Sequence, residues 1–300
     1  LQEYAQSEAI QTEVDHWLGA PQEVWPLPQD VSTGQNTEAS AQTVSVTLTP
    51  EETEALLRQV PATYRTEIND VLLTALAQAV SRWTGGQTVL VDLESHGRTD
   101  LFEDVDLSRT VGWFTAVYPQ TLRMGSQTKL EAALKLIKEQ LRRIPHQGIG
   151  YGLLRYLGQD QSIAQALRQQ PQAEICFNYL GQIDQTLPKA APFGLAAESR
   201  GPDRSLQGQR HYLLDVTAVI SQGQLHINWT YSTNIHHPQT VEQLAQSFVT
   251  ALRALISHSQ APETGGLTPS DFPLANIDQK KLDKLMNKIG GPVRFAKEQA

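Results

Sequence analysis

The sequence predicts an α/β chain, a mixed β-sheet with helices packed on it. Three observations carry that reading. Apolar stripes at helical spacing recur, the clearest being Ile68, Val71, Leu72, Ala75, Leu76, Ala79, Val80 and Trp83. Short alternating or wholly apolar runs lie between such stripes, as in Val44, Val46, Leu48 and in Val89 to Leu93. The last two of these runs flank Ser221-Gln222-Gly223 as the arms of an antiparallel hairpin would.

Taken in order, Ala5, Ile10, Val14 and Trp17/Leu18 predict a leading helix within 1–20, which Gly19 and the prolines at 21, 26 and 28 end. The alternation from Thr43 predicts a strand, and Thr49-Pro50-Glu51-Glu52 starts a helix with a cap residue, a proline in its first turn and a capping-box glutamate. The stripe over 68–83 follows, and Gly85-Gly86 breaks it before the strand ending near Glu94. Val111 to Leu122, rich in β-branched and aromatic residues, predicts another strand. Leu130, Ala133, Leu134, Ile137, Leu141 and Ile144 place a helix that stops at Pro145. Helical pieces after Gly148 and over 162–169, a strand over 175–180, a Pro/Gly/Ser-rich loop over 187–208, the hairpin and a long helix from Val241 to Ile256 complete the unit. Beyond Gln260 the composition loosens, so 261–300 reads as an exit linker with a terminal helix over 277–289.

The 300 residues are 40% hydrophobic, 19% charged and 7% aromatic, which excludes a disordered chain. With 24 Lys plus Arg against 32 Asp plus Glu, the formal charge of −8 supplies no positive field for nucleic acid or an anionic membrane. The single cysteine, Cys176, makes no internal disulfide and no multi-thiolate metal site, so a cytoplasmic chain without a metal is expected. No apolar run reaches the about 18 residues of a membrane span, and the opening Leu1-Gln2-Glu3-Tyr4 has no signal-peptide pattern. A start without Met reads as a cut in a longer polypeptide.

Several residues that resemble chemistry have plainer readings. His236-His237 has no third ligand at metal spacing. Gly148-Ile149-Gly150-Tyr151-Gly152 follows a helix, where a dinucleotide fingerprint follows a strand. His211 and Asp215 share the His-x-x-x-Asp spacing of chloramphenicol acetyltransferase-type enzymes, yet Val216 stands where those have glycine, and the segment reads as strand. Cys176, between Ile175 and Phe177 with no basic neighbour, reads as a buried structural thiol. Glu94 differs, because the end of a buried strand is where such sheets present their chemistry. A carboxylate there can exchange a proton with a carbon acid if burial raises its pKa, the plainer role being a turn carboxylate paired with Arg98.

Four segments in order then resemble the successive motifs of epimerization domains of nonribosomal peptide synthetases. They are Glu94-Ser95-His96-Gly97-Arg98; Arg109-Thr110-Val111-Gly112-Trp113-Phe114-Thr115 with Tyr118-Pro119; Gly148-Ile149-Gly150-Tyr151-Gly152; and Phe177-Asn178-Tyr179-Leu180-Gly181. Asn69-Asp70-Val71-Leu72-Leu73-Thr74-Ala75 is similar to the motif before them, and Leu267 to Ala275 to the segment leading out of such domains. The run from Arg109 to Thr115 is the most specific. Two departures stand out: Ser95 replaces a glycine and Thr99 replaces a glutamate.

The resemblance implies a chloramphenicol acetyltransferase-like lobe and inversion, from L to D, of an aminoacyl or peptidyl α-carbon. The substrate would ride on the phosphopantetheine of a peptidyl carrier protein domain, with no cofactor bound by the lobe itself. The family's first lobe carries a His-His-x-x-x-Asp-Gly motif, whereas the His-His pair here is followed by Pro-Gln-Thr. On this resemblance residues 21–260 form the C-terminal lobe, its partners being an N-terminal lobe and neighbouring synthetase domains, and the chain alone is inactive. Glu94 would be one acid/base group, with Asn178 or Tyr179 at the enolate oxygen. His96, Arg98, Arg109, Trp113, Phe114, Tyr118, Gly148, Gly150, Tyr151 and Gly152 would lie near the site, Trp113 and Phe114 as packing residues, and the three glycines would allow close backbone approach. The other readings are a lobe of an amide-forming condensation domain and a non-catalytic carrier-docking scaffold.

Overall fold

The computed structural model describes residues 1–19, 24–125, 129–183, 198, 201–261, 266–272, 274–275 and 277–289. One six-stranded sheet organises them: β1 (Ala41–Thr47), β2 (Thr88–Ser95), β3 (Ala116–Arg123), β4 (Ile175–Gln182), β5 (Leu214–Ser221) and β6 (Gln224–Ser232). The spatial order is β1-β6-β5-β4-β2-β3. β4 runs parallel to both β2 and β5, and the remaining pairs are antiparallel, so the sheet is mixed as the hairpin implied.

Two helices supply most of one layer. In α5 (Ile68–Thr84) every residue from Asp70 to Ala77 is buried, and it packs on α9 (Pro238–Ser259), whose Phe248 meets Trp229 of β6 edge-on at 5.6 Å. Alternation explains which strand face they cover: Leu225, Ile227, Trp229 and Tyr231 are buried, while Asn228 and Thr230 point the other way and pair with Ser45 and Thr43 of β1. The helix beginning at α3 (Pro50–Glu54) has its capping box in place, Thr49 with Glu52, and continues through a π-helical turn (Ala55–Gln59) into α4 (Val60–Tyr64). α6 (Leu130–Arg142), α7 (Ile149–Tyr156) and α8 (Gln161–Gln169) complete this part of the chain. Among the described residues no helix is long and apolar enough to cross a membrane.

Three expectations need correction. The leading helix is broken into a 3₁₀ turn (Tyr4–Gln6), α1 (Glu8–Gln11) and α2 (Val14–Leu18), because buried Glu13 turns inward to accept from Trp17 Nε1 at 2.9 Å and His146 Nδ1 at 2.7 Å. The strand over 111–122 starts only at Ala116; Val111 is 100% and Trp113 89% exposed, since β2 pairs no residue before Ala116. Residues 266–272 are docked against the domain: Asp271, with 8% of its side chain exposed, pairs with Lys138 (2%) of α6 at 2.8 Å. The terminal helix α10 is Gln279–Ile289. Most of the 187–208 loop lies outside the described residues.

Candidate active site

The register of the central strands builds the site. Asp92 pairs with Cys176 and Leu93 with Phe177, so Glu94 comes level with Asn178 on the sheet face away from α5. Asn178 Nδ2 donates to Glu94 Oε2 at 2.5 Å, and the Cys176 thiol lies 3.8 Å from Oε1. Glu94 is half-buried, and desolvation pushes its carboxyl above the ordinary glutamate value against the opposing hydrogen bond from Cys176. It makes no pair with Arg98. One cleft of ≈ 650 Å³ places Glu94 beside His96, Trp113, Tyr118, Asn178 and Tyr179. A second, of ≈ 470 Å³, reaches the same carboxylate from over the sheet, past Cys176, Arg204, Arg210 and Asp215.

Such a group can accept a proton from a carbon held in either cleft and retain it. Burial and the neighbouring carboxylates Glu94, Asp215 and Asp92 push the Cys176 thiol up, so it is no nucleophile. Among the described residues no cluster of His, Cys, Asp and Glu could hold a metal ion.

The motif residues form one interlocked unit. Gly97 has φ +63°, and a Cβ there would lie 1.6 Å from the carbonyl oxygen of Phe114. Arg98 then holds the loop that this contact anchors, donating to the carbonyls of Leu107 at 2.6 Å and Gly112 at 3.3 Å and lying 4.4 Å over the Phe114 ring. His96 Nδ1 accepts from the Arg98 backbone N–H at 3.0 Å. Phe114 lies under the Arg98 guanidinium, and Trp113, which the loop projects outward, rims the cleft. Arg109 is exposed in the same loop.

Tyr118 is buried, its phenol pushed up to about 12 by desolvation. It fixes the glycine-rich turn, for a Cβ on Gly148 (φ +88°) would fall 1.9 Å from its ring. Gly150 is held as closely against Glu13, whereas Gly152 has nothing within 4 Å. Tyr151 accepts from Arg155 Nη1 across one turn of α7. Tyr179, one residue from Asn178, has its side chain on the opposite sheet face and meets the cleft from there. Motif reading missed Asp92 and the placement of Cys176, read only as a structural thiol, against Glu94. Both lie two positions from a recognised residue on the same strand face, and period-two alternation was the signal for them.

The sheet order, the packed helices and the strand-end carboxylate define a chloramphenicol acetyltransferase-like lobe of the condensation-domain fold. A profile of the Condensation domain matches residues 1–277, and the chain belongs to that family. The crystal structure of the epimerization domain from the third module of tyrocidine synthetase B aligns with a TM-score of 0.79 and 38% identity, covering 86% of this chain and 57% of that one. The motif resemblance agrees with this neighbour. Chondramide synthase cmdD of Chondromyces crocatus is 42% identical over 289 residues, 96% of this chain and 7% of that protein. Gramicidin S synthase 1 of Brevibacillus brevis is 36% identical over 299 residues, 96% of this chain and 27% of that one. The chain thus spans a small part of these relatives.

Proposed function

We propose that this lobe serves L-to-D inversion at the α-carbon of an aminoacyl or peptidyl thioester carried on a peptidyl carrier protein. The observation that carries the reading is Glu94, a half-buried, proton-retaining carboxylate at a strand end where two clefts meet. Ionised Glu94 takes the α-proton, and the C–H electron pair moves into the thioester carbonyl as an enolate. A proton delivered to the opposite face gives the D-thioester. The Asn178 amide already fixes the Glu94 carboxylate, so its first role is to orient the base; a donor that also reached the enolate oxygen would contribute about 3–4 kcal/mol. The opposing acid/base group belongs to the His-His-x-x-x-Asp-Gly motif that this sequence lacks, so the chain alone is inactive.

The test is α-proton exchange into deuterated water from an L-aminoacyl carrier protein, with a separately supplied lobe bearing that motif. Exchange should need both lobes and disappear in Glu94→Gln. Exchange by the chain alone, or exchange that survives Glu94→Gln, contradicts the proposal. Amide formation between donor and acceptor carriers would instead assign the lobe to a condensation domain. Carrier binding with neither reaction would make it a scaffold.

A further inference from the structure

A third cleft, of ≈ 580 Å³, lies along β2 and β3 beside Glu94 and plays no part in the proton transfer described above. Val117, which pairs with Glu94 across the two strands, and Asp92, two positions from Glu94 on the same face, both line it. A group in this cleft therefore sits about 7 Å along the strand from the reacting carboxylate, two strand residues at about 3.3 Å each.

Its lining is aromatic. Phe114, Tyr151, Tyr156 and Tyr212 surround the space. Several polar groups of its floor pair with one another: Tyr212 Oη donates to Asp92 Oδ2 at 2.8 Å, and Arg155 Nη1 donates to the Tyr151 hydroxyl with its guanidinium 5.5 Å from the Tyr156 ring, while Arg155 Nε has no hydrogen-bond partner and His211 and Gln172 also line the space. Most of the surface left to meet a ligand is ring faces and the aliphatic surfaces of Val117 and Pro119. Tyr156 and Val117 are exposed although large and apolar, as the walls of an unfilled apolar site are. Gly152 completes the argument. It stands inside α7, where glycine is unfavourable, yet no neighbour requires it, and the open space it preserves is this cleft.

We propose that this cleft receives the side chain of the residue being inverted and selects a bulky apolar, above all aromatic, aminoacyl group. The inference rests on the proposed function for the position of the α-carbon, and it adds the substrate class. Gly152→Leu starts its side chain into this cleft, because Gly152 lines it and nothing lies within 4 Å of the added Cβ, and leucine favours the helix.

The test measures binding of two stable analogues to the full chain by calorimetry, L-phenylalanyl- and L-alanyl-pantetheine with an amide in place of the thioester. The phenylalanyl analogue should bind at least about 10-fold more tightly. In Gly152→Leu, with a melting temperature no lower than that of the parent, the preference should fall below about 2-fold while alanyl affinity is kept. Equal affinities in the parent, a preference that survives Gly152→Leu, or no saturable binding of either analogue would overturn the proposal. Because the readout is binding, a Gly152-dependent preference together with no proton exchange when the complementing lobe is supplied would leave the pocket standing and remove the epimerase reading.

Discussion

The docked segment 266–272 gives a quantitative prediction. Lys138 Nζ is buried between the carbonyl of Tyr64 at 3.1 Å and Asp271 at 2.8 Å, and the Asp271 carboxylate also accepts from the Thr268 backbone N–H at 2.8 Å. In Asp271→Ala the ammonium keeps its burial and loses its counter-charge. Removing one partner of a buried pair costs about 3–5 kcal/mol, whereas replacing both by apolar groups of similar volume is about neutral. Urea denaturation should therefore show Asp271→Ala and Lys138→Met each losing about 3–5 kcal/mol. The double variant Lys138→Met/Asp271→Leu should return to within about 1 kcal/mol of the parent, a large non-additivity. Single-variant losses below about 1 kcal/mol, or a double variant as poor as the sum of the singles, would refute the claim that this pair holds the segment down.

Glu94→Gln in the complemented domain should lower α-proton exchange at least about 100-fold, and it should raise stability at neutral pH. The folded state holds the Glu94 proton more tightly than the unfolded chain, so stability falls as pH rises from the unfolded value to the raised folded one, and Gln removes that loss. Thermal melts of parent and variant at pH 4 and pH 7 check the sign, since the gap should open only at the higher pH. Asn178→Ala removes a donor to the ionised form and should move the acidic limb of the exchange profile upward; an unchanged limb would show that Asn178 does not set the acidity of Glu94. Gly148→Ala meets both a left-handed backbone and the Tyr118 ring, and should cost about 2–5 kcal/mol by denaturant titration. Gly152→Ala, in open space on a helix, should gain about 0.5–1 kcal/mol in the same assay.

What the sequence disclosed and what it hid follow from the range of the forces involved. The alternation Leu225, Ile227, Trp229, Tyr231 and the stripe along α5 record burial one residue at a time, and each residue is where its period placed it. Glu94 was legible because a strand-end carboxylate followed by a turn is a local pattern. Residues 111–115 were not, because their composition favours strand while their conformation is set by Gly97 against the Phe114 carbonyl and by Arg98 reaching residues 107 and 112. The exit segment misled in the same way. Lys138 lies four residues after Leu134 and three before Leu141, inside the apolar stripe of α6, where a lysine is ordinarily expected to extend its charge into water. Only a carboxylate 133 residues away in the chain makes its burial affordable, and no window along the sequence contains both. The separate motifs around Glu94, Trp113 and Phe114 are thus one mechanical unit. Gly97 and Arg98 fix the loop, the loop sets walls of the cleft beside Glu94, and under the proposed function that cleft would govern which carbon approaches the carboxylate. A substitution at Arg98 should consequently alter substrate positioning before it alters the acidity of the base.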